Sequence, residues 1–218
     1  MAINLKDIQI LYDLTKDSYS NYILDSSFLI FTSINKILYL VYLTKNNTII
    51  IFNLINFQKI GEIKYQHNNY IGGFKYFCDK KNNKDLIMSI SCEDNSIIIW
   101  NLNNLECLVK IININKSGIL YSACFLNDNE NYYILTSNCS RNPFSINFDP
   151  IKLFDSNGQK VKEINNSNDK TFYMDTYYDY EMKKNFIITC NFNYIKSYDY
   201  EKNELYHRYY EKKVSEIT

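Results

Sequence analysis

Apolar and polar residues alternate along much of the chain with the period of two that is typical of β-strands. One pattern recurs: an apolar residue, any residue, an apolar residue, an aromatic residue, and then Asn or Asp. Its three clear copies and one weaker copy are residues 49–53, 97–101, 151–155 and 195–199. The aromatic residues of these copies are Phe52, Trp100, Phe154 and Tyr198. Their spacing of roughly 50 residues predicts a repeated unit of several short strands.

A further apolar segment precedes each copy and predicts a second strand. These segments are residues 37–42, 86–91, 133–136 and 186–190. Segments that start at Gly72, Tyr121 and Tyr173 mix small with aromatic residues, which suits the first strand of a unit. Asn103 begins a polar turn into a fourth strand at 107–112. No window keeps apolar residues at helical spacing, so the pattern predicts an all-β fold built from four-stranded units.

The repeats set the predicted organisation of the chain. Whole units cover residues 28–66, 67–116, 117–168 and 169–213, and residues 214–218 form a tail. Residues 1–27 are predicted to form half a unit, because residues 8–14 have the pattern of a third strand. The third unit is longer than the others, because residues 138–149 insert a loop between its second strand and its aromatic residue.

The second unit resembles part of a known family. Its segment SISCEDNSIIIWN resembles the strand, turn and strand that close a blade of the WD-repeat β-propellers. In that family an Asp in the turn is tied to a His and to a Ser or Thr; Asp94 stands at the turn position and His67 at that of the His. The resemblance covers residues 28–212 and implies an open arc of four full four-stranded blades plus an N-terminal half blade. The structural blade positions that it implies are Phe52, Asp94, Trp100, Phe154 and Tyr198.

The charge balance argues against polyanionic partners. The chain has 24 basic and 24 acidic residues, so its net charge is zero at neutral pH. Without a basic surface there is no general attraction to nucleic acid or to an anionic membrane, and we expect neither as a partner. The segment YHRYYEKK, which starts at Tyr206, interleaves aromatic and basic residues and is the one candidate for stacking single-stranded nucleic acid. An outer strand explains the same alternation more simply.

Few residues suit catalysis or metal binding. The chain has two histidines, His67 and His207, and six cysteines without a Cys-x-x-Cys pair. With five glycines it has no phosphate-binding loop, and its acidic turns lack the spacing of a calcium loop. We therefore predict no catalytic residue, no cofactor and no metal. Lys6 and Asp7 stand where a signal peptide would be apolar, so a cytoplasmic location is expected.

The family resemblance implies a non-catalytic scaffold for protein–protein interaction, with an unidentified protein as its partner. The inserted loop of the third unit is its most distinctive surface. The residues expected to contact a partner there are Arg141, Asn142, Pro143 and Phe144. The alternative that the resemblance implies is a substrate receptor or structural subunit of a larger enzyme complex, such as a ubiquitin ligase.

An open arc would leave one face of a terminal blade uncovered at each end. A four-stranded sheet of this length covers a projected area of about 300 Å². Covering that face is worth about 7 kcal/mol. Monomers rarely expose so much contiguous apolar surface. We therefore expect either that the chain is a fragment of a longer propeller or that it associates with itself through its terminal blades.

Overall fold

The structure is a computed structural model in which every regular element is a β-strand within the described residues. The described residues are 28–44, 48–64, 67, 69, 71–112, 114, 118–128, 131–137, 139–140, 150–164, 171–191 and 194–210. The predicted N-terminal half blade, including the strand at 8–14, lies outside them. The prediction of an all-β fold is confirmed.

Four antiparallel sheets of four strands each and one two-stranded ribbon make up the regular structure of the described residues. The first sheet contains β1 (Phe28–Thr32), β2 (Leu38–Leu43), β3 (Thr48–Asn53) and β4 (Gln58–Lys64). The second contains β5 (Gly73–Asp79), β6 (Lys84–Ser91), β7 (Ser96–Asn101) and β8 (Glu106–Ile111). A two-residue strand follows, β9 (Gly118–Ile119). The third sheet contains β10 (Ala123–Asp128), β11 (Asn131–Thr136), β13 (Ile151–Phe154) and β14 (Lys160–Ile164), with β12 (Cys139–Ser140) between β11 and β13 in the chain. The fourth contains β15 (Tyr173–Asp179), β16 (Lys184–Cys190), β17 (Tyr194–Asp199) and β18 (Glu204–Tyr210).

The insertion of the third unit starts with a short ribbon that the sequence analysis did not predict. Strand β12 pairs antiparallel with β9, which places Cys139 opposite Ile119. Two-residue strands are too short to show an alternation pattern, so the loop prediction had no signal for this pairing. The rest of the insertion, residues 141–149, lies outside the described residues.

The aromatic residue of each repeat lies in the third strand of its sheet. In three sheets the pairing of the third strand with the fourth shifts register at the step into this residue. The shifts lie at Ile51/Phe52, Leu153/Phe154 and Ser197/Tyr198. Such a bulge leaves one extra residue on the fourth strand and increases the local twist. The extra residues are exposed apolar or aromatic side chains: Ile60, Val161 and Tyr206. The repeat in sequence is thus also a repeat of backbone geometry.

The Asn or Asp that follows each aromatic residue holds the turn into the fourth strand. Its side-chain Oδ1 accepts a hydrogen bond from a backbone N–H two residues further on, which is the geometry of an Asx turn. The four pairs are Asn53 with Ile55 (2.8 Å), Asn101 with Asn103 (3.1 Å), Asp155 with Asn157 (2.9 Å) and Asp199 with Glu201 (3.1 Å). The repeat keeps a short side chain with an oxygen at this position because the turn needs that acceptor.

Asp199 also forms an ion pair within the fourth sheet. Its Oδ2 lies 2.8 Å from the Lys184 ammonium. Burial opposes ionisation of Asp199, but the hydrogen bonds from Lys184 and from the Lys202 and Glu201 backbone outweigh burial, so the pKa of Asp199 is lowered. A carboxyl group with a lowered pKa stabilises the fold above its unfolded-state pKa. That contribution is lost as pH falls through the folded-state pKa.

We expect Asp199→Asn to lower the urea midpoint at neutral pH. The turn should survive, because Asn53 and Asn101 fill the same position in other sheets, but the ion pair is lost. The difference between wild type and variant should shrink as pH falls below the pKa of a free aspartate, and it should be smallest below the lowered pKa of Asp199, where this side chain is protonated in the folded protein too. Urea unfolding followed by circular dichroism, at neutral pH and at a pH below the pKa of Asp199, measures this difference in stability. A difference of equal size in acid and at neutral pH would contradict the prediction.

The described chain divides into two compact units, Met1–Ser91 with Ile99–Leu108 and Cys92–Ile98 with Val109–Thr218. In the first unit, the Phe31 ring of β1 stacks on the Tyr76 ring of β5, with centroids 4.0 Å apart. The Leu105 side chain covers Gly61 so closely that a Cβ at position 61 would collide with it. A side chain at position 61 would therefore require the end of the Leu105 side chain to move.

The core of the second unit is shared by the third and fourth sheets. Its members are buried residues from both sheets: Cys124, Leu126, Leu135, Ile151, Leu153, Ile164, Met174, Ile187, Tyr198 and Tyr200. Hydrogen bonds cross between the same sheets, since the Thr176 hydroxyl donates to the Phe125 carbonyl (2.7 Å) and the Tyr200 hydroxyl to Asp128 (2.7 Å). One face of the fourth sheet is therefore buried against the third.

Candidate functional site

Three buried side chains of the first unit form a hydrogen-bonded chain. The indole N–H of Trp100 in β7 donates to the Ser89 Oγ in β6 at 2.9 Å. The Nε2 atom of His67 lies 2.8 Å from the same oxygen. One hydroxyl can serve both rings, because it has one donor and two acceptor positions. His67, Ser89 and Trp100 are at most 4% exposed, so His67 belongs to an internal network of this unit.

Asp94 lies in the turn between β6 and β7. Its Oδ1 accepts a hydrogen bond of 2.7 Å from the Ser96 hydroxyl at the start of β7. The next residue, Asn95, has a φ of 50°, a conformation that Asn adopts more readily than most residues. The Asn95 carbonyl also accepts a hydrogen bond from the Ile114 N–H. Asp94 therefore sits in a turn whose geometry is fixed by side-chain and backbone hydrogen bonds.

The other aromatic positions of the repeat occupy comparable places with unequal burial. Each is paired with an apolar residue of the second strand of its sheet: Phe52 with Leu40, Phe154 with Ile134, and Tyr198 with Ile187. Tyr198 is fully buried and Phe154 is 6% exposed, whereas Phe52 is half-buried. The expected partner-contact residues Arg141, Asn142, Pro143 and Phe144 lie outside the described residues.

A buried carboxylate that the sequence analysis missed joins the first two sheets within the first unit. Asp85 in β6 is 2% exposed. Its Oδ1 accepts hydrogen bonds from the Tyr76 hydroxyl (2.6 Å) and from the Ile34 N–H in the β1–β2 turn (2.9 Å). Burial, together with the hydrogen bond to Asp85 and its charge, strongly raises the pKa of Tyr76, which keeps its proton and donates. The only available signal was an Asp placed directly before the apolar run of a second strand.

Two cysteine side chains, those of Cys92 and Cys107, lie in different environments. Burial, reinforced by the charges of Glu93 and Asp94, raises the pKa of Cys92 to about 11. Its thiol is therefore protonated at neutral pH and a poor nucleophile. Cys107 in β8 is exposed to solvent.

We expect iodoacetamide at neutral pH to alkylate Cys107 much faster than Cys92. The reason is that the reagent reacts with the thiolate and needs access to the sulfur. Mass spectrometry of peptides taken during the reaction measures both rates in the same sample, and reaction in urea is the control in which the two rates should converge. Equal alkylation rates for Cys92 and Cys107 in the folded protein would contradict the burial and raised pKa assigned to Cys92.

Two further observations bear on the kind of site. In the described ranges, no group of three or more His, Cys, Asp or Glu side chains is arranged to hold a metal ion. The same ranges contain no helix with the length and apolar character needed to span a bilayer.

The four meandering sheets, each with an aromatic residue in its third strand, define a β-propeller fold. Among solved structures, the chain is similar to the BBS1N chain in a crystal structure of BBS1N in complex with ARL6DN, soaked with mercury. The two share 11% identity with a TM-score of 0.63, and the match covers 85% of this chain and 54% of that chain. The chain therefore spans about half the length of this neighbour, and identity this low shows the fold alone.

No family model matches the sequence, and no curated protein matches it. Matches among solved structures number 657 chains. A fold that is so widespread does not by itself identify a partner or an activity, so function has to be argued from the residues of this chain.

Proposed function

We propose that this chain is a non-catalytic scaffold for protein–protein interaction of the WD-repeat type. The observation that carries the proposal is the buried contact of His67 and Trp100 with one hydroxyl, that of Ser89. These residue types stand where the family resemblance implies them, and Asp94 occupies the intervening turn. The network ties together two strands and a preceding segment, which makes a rigid frame on which loops can be presented.

The placement of the ionisable groups supports a binding role over a catalytic one. The imidazole of His67 is buried in the internal network, and His207 lies exposed on β18. The Cys92 thiol is held protonated by its raised pKa. A general acid or base has to reach its substrate with its proton free to move, and neither the buried His67 nor the protonated Cys92 is arranged in that way.

The neighbour BBS1N provides a parallel for the proposed role, since that propeller was crystallised in complex with another protein, ARL6DN. For this chain, we propose the inserted loop as the contact with a protein partner. Arg141 and Phe144 combine a charged and an aromatic side chain, and both residue types are enriched in protein–protein interfaces. A cytoplasmic location is part of the same proposal.

The test is affinity capture with the full chain, compared with a variant that carries Arg141→Ala and Phe144→Ala. The matched control replaces Asn104 and Glu106, exposed residues of the β7–β8 turn region, by Ala. We expect a discrete set of proteins to be lost with the loop variant and kept with the control. If neither variant loses any captured protein, the partner contact lies outside the loop. If no protein is enriched at all, the proposal of a protein-interaction scaffold is contradicted.

The same experiment distinguishes the alternative role. A substrate receptor or structural subunit of a ubiquitin ligase should recover the other subunits of that ligase in stoichiometric amounts. Recovery of a partner without such subunits supports the simpler scaffold.

A further inference from the structure

The two faces of the fourth sheet are in different environments. Residues that pair directly across strands point to the same side of a sheet. On one side lie Met174, Ile187 and Tyr198, which are buried in the core shared with the third sheet. The other side alternates with these positions and is turned away from that core.

We call this side the tyrosine face and define it by Tyr173, Tyr177, Ile195, Tyr206 and Tyr209. Tyr173 and Tyr177 belong to β15, Ile195 to β17, and Tyr206 and Tyr209 to β18. Register places Tyr173, Ile195 and Tyr209 in one row across the sheet, through Cys190 of β16. The five side chains are 49%, 40%, 44%, 48% and 54% exposed, in that order. They form one exposed aromatic surface on a rigid sheet.

The rings of this face are held in place before any partner binds. The Tyr177 ring stacks on the buried Phe186 ring with centroids 5.3 Å apart, and the Tyr206 ring packs on the same Phe186 at 4.9 Å. His207 continues the series, 5.4 Å from Tyr206 and 5.3 Å from Tyr209. Ordering these side chains at an interface should therefore cost little conformational entropy.

The area of the tyrosine face fits a small, stable interface. A whole tyrosine side chain presents about 200 Å², so four that are near half exposed present about 400 Å². Ile195 and the partly exposed Asp175, Ile188 and Cys190 raise the total to about 600 Å² per copy. Two such faces would bury about 1,200 Å², the lower end of the range for stable protein complexes. An exposed patch of that size also reaches the upper limit seen on monomers.

We propose that the tyrosine face binds the tyrosine face of a second copy of this chain, forming a two-fold symmetric dimer. The charged residues that the register places on this side are mostly acidic: Asp175 accepts a hydrogen bond from Tyr173, Asp199 is paired with Lys184, and Asp179 and Glu204 lie at the end of the sheet away from the Tyr173–Tyr209 row. Among the described residues this side has no cluster of basic side chains, so a polyanionic partner has nothing to recognise there. Tyrosine hydroxyls both donate and accept hydrogen bonds, so identical faces can satisfy each other. A symmetric contact of this kind closes after two copies. The inference does not depend on the proposed scaffold role.

The test is analytical ultracentrifugation of the full chain over micromolar concentrations. Wild type should sediment as a monomer–dimer equilibrium. Tyr173→Lys with Tyr209→Lys, or Tyr209→Lys alone if the double variant is poorly folded, should weaken dimerisation at least about 100-fold, as expected for central aromatic contacts. The matched control is Tyr180→Lys with Val161→Lys, which adds the same charge at exposed positions outside the face and should dimerise as wild type does.

Mixing the tagged double variant with untagged wild type distinguishes a symmetric contact from a head-to-tail contact. In the symmetric dimer both copies supply the tyrosine face, so the tagged double variant should not capture untagged wild type. In a head-to-tail contact the variant would still offer its other surface and would capture wild type. Such capture would overturn the proposal. So would loss of the dimer on Ile30→Lys in the first sheet, and so would a wild-type protein that is monomeric at every concentration tested.

Discussion

Trp100→Ala is expected to lower the free energy of unfolding by about 3–5 kcal/mol, the cost of replacing a large buried aromatic side chain by Ala. Trp100 is 1% exposed. The substitution leaves a cavity and also removes the donor that contacts Ser89. Because Trp100 is the only tryptophan of the chain, unfolding in urea should be followed by far-ultraviolet circular dichroism rather than by tryptophan fluorescence.

Trp100→Phe is the informative control for this prediction. It keeps an aromatic ring, which Phe52 and Phe154 supply in other sheets, and removes the indole N–H. We expect a smaller loss of about 1–2 kcal/mol, from reduced packing and the missing hydrogen bond. A change close to zero on Trp100→Ala would mean that this buried side chain does not stabilise its sheet, and the structural role assigned to the repeat would be wrong.

Asp85→Ala is the second large effect, with an expected loss of about 2–5 kcal/mol. The carboxylate is buried and accepts from both the Tyr76 hydroxyl and the Ile34 N–H. Removing it leaves two partly buried donors without this acceptor, and a buried donor without an acceptor costs about 1–3 kcal/mol. Urea midpoints measured at neutral pH give the loss.

A double-mutant cycle separates this pair from general damage to the sheet. Tyr76→Phe alone removes one donor and should cost less than Asp85→Ala. With both changes the cost should be smaller than the sum of the two, because the lost partners are the same. Additive costs would show that Asp85 acts through some other contact. Asp85→Asn keeps an acceptor oxygen and should lie between wild type and Asp85→Ala.

The fold could be predicted from the sequence because its signal is local and repeated. Alternation identifies individual strands, and the recurring aromatic residue followed by Asn or Asp marks the end of each third strand. The structure gives the physical basis of that signal: a register shift in three sheets, and an Asx turn in all four. Each requirement involves residues close in sequence, so each leaves a trace in the repeat.

Only part of the hydrogen-bond network around Trp100 could be predicted from the sequence. His67 and Asp94 could be named from the family resemblance, because their spacing from Trp100 is typical of the family. Ser89 as the shared partner emerged from the coordinates, since many serines and threonines precede Trp100 and only the strand pairing selects one. Asp85 shows the same limit, because one of its donors, the Ile34 N–H, comes from the turn of another sheet and is 51 residues away in the chain.

By itself the sequence determined the strands, their grouping in fours and the turn chemistry, since these depend on neighbouring residues and on a period that is visible in one dimension. Tertiary structure alone decided which face of each sheet is buried. Both faces of the fourth sheet carry apolar residues, and only packing against the third sheet covers one and exposes the other. The physical reason is that alternation separates the two sides of a strand but carries no information about what lies against each side.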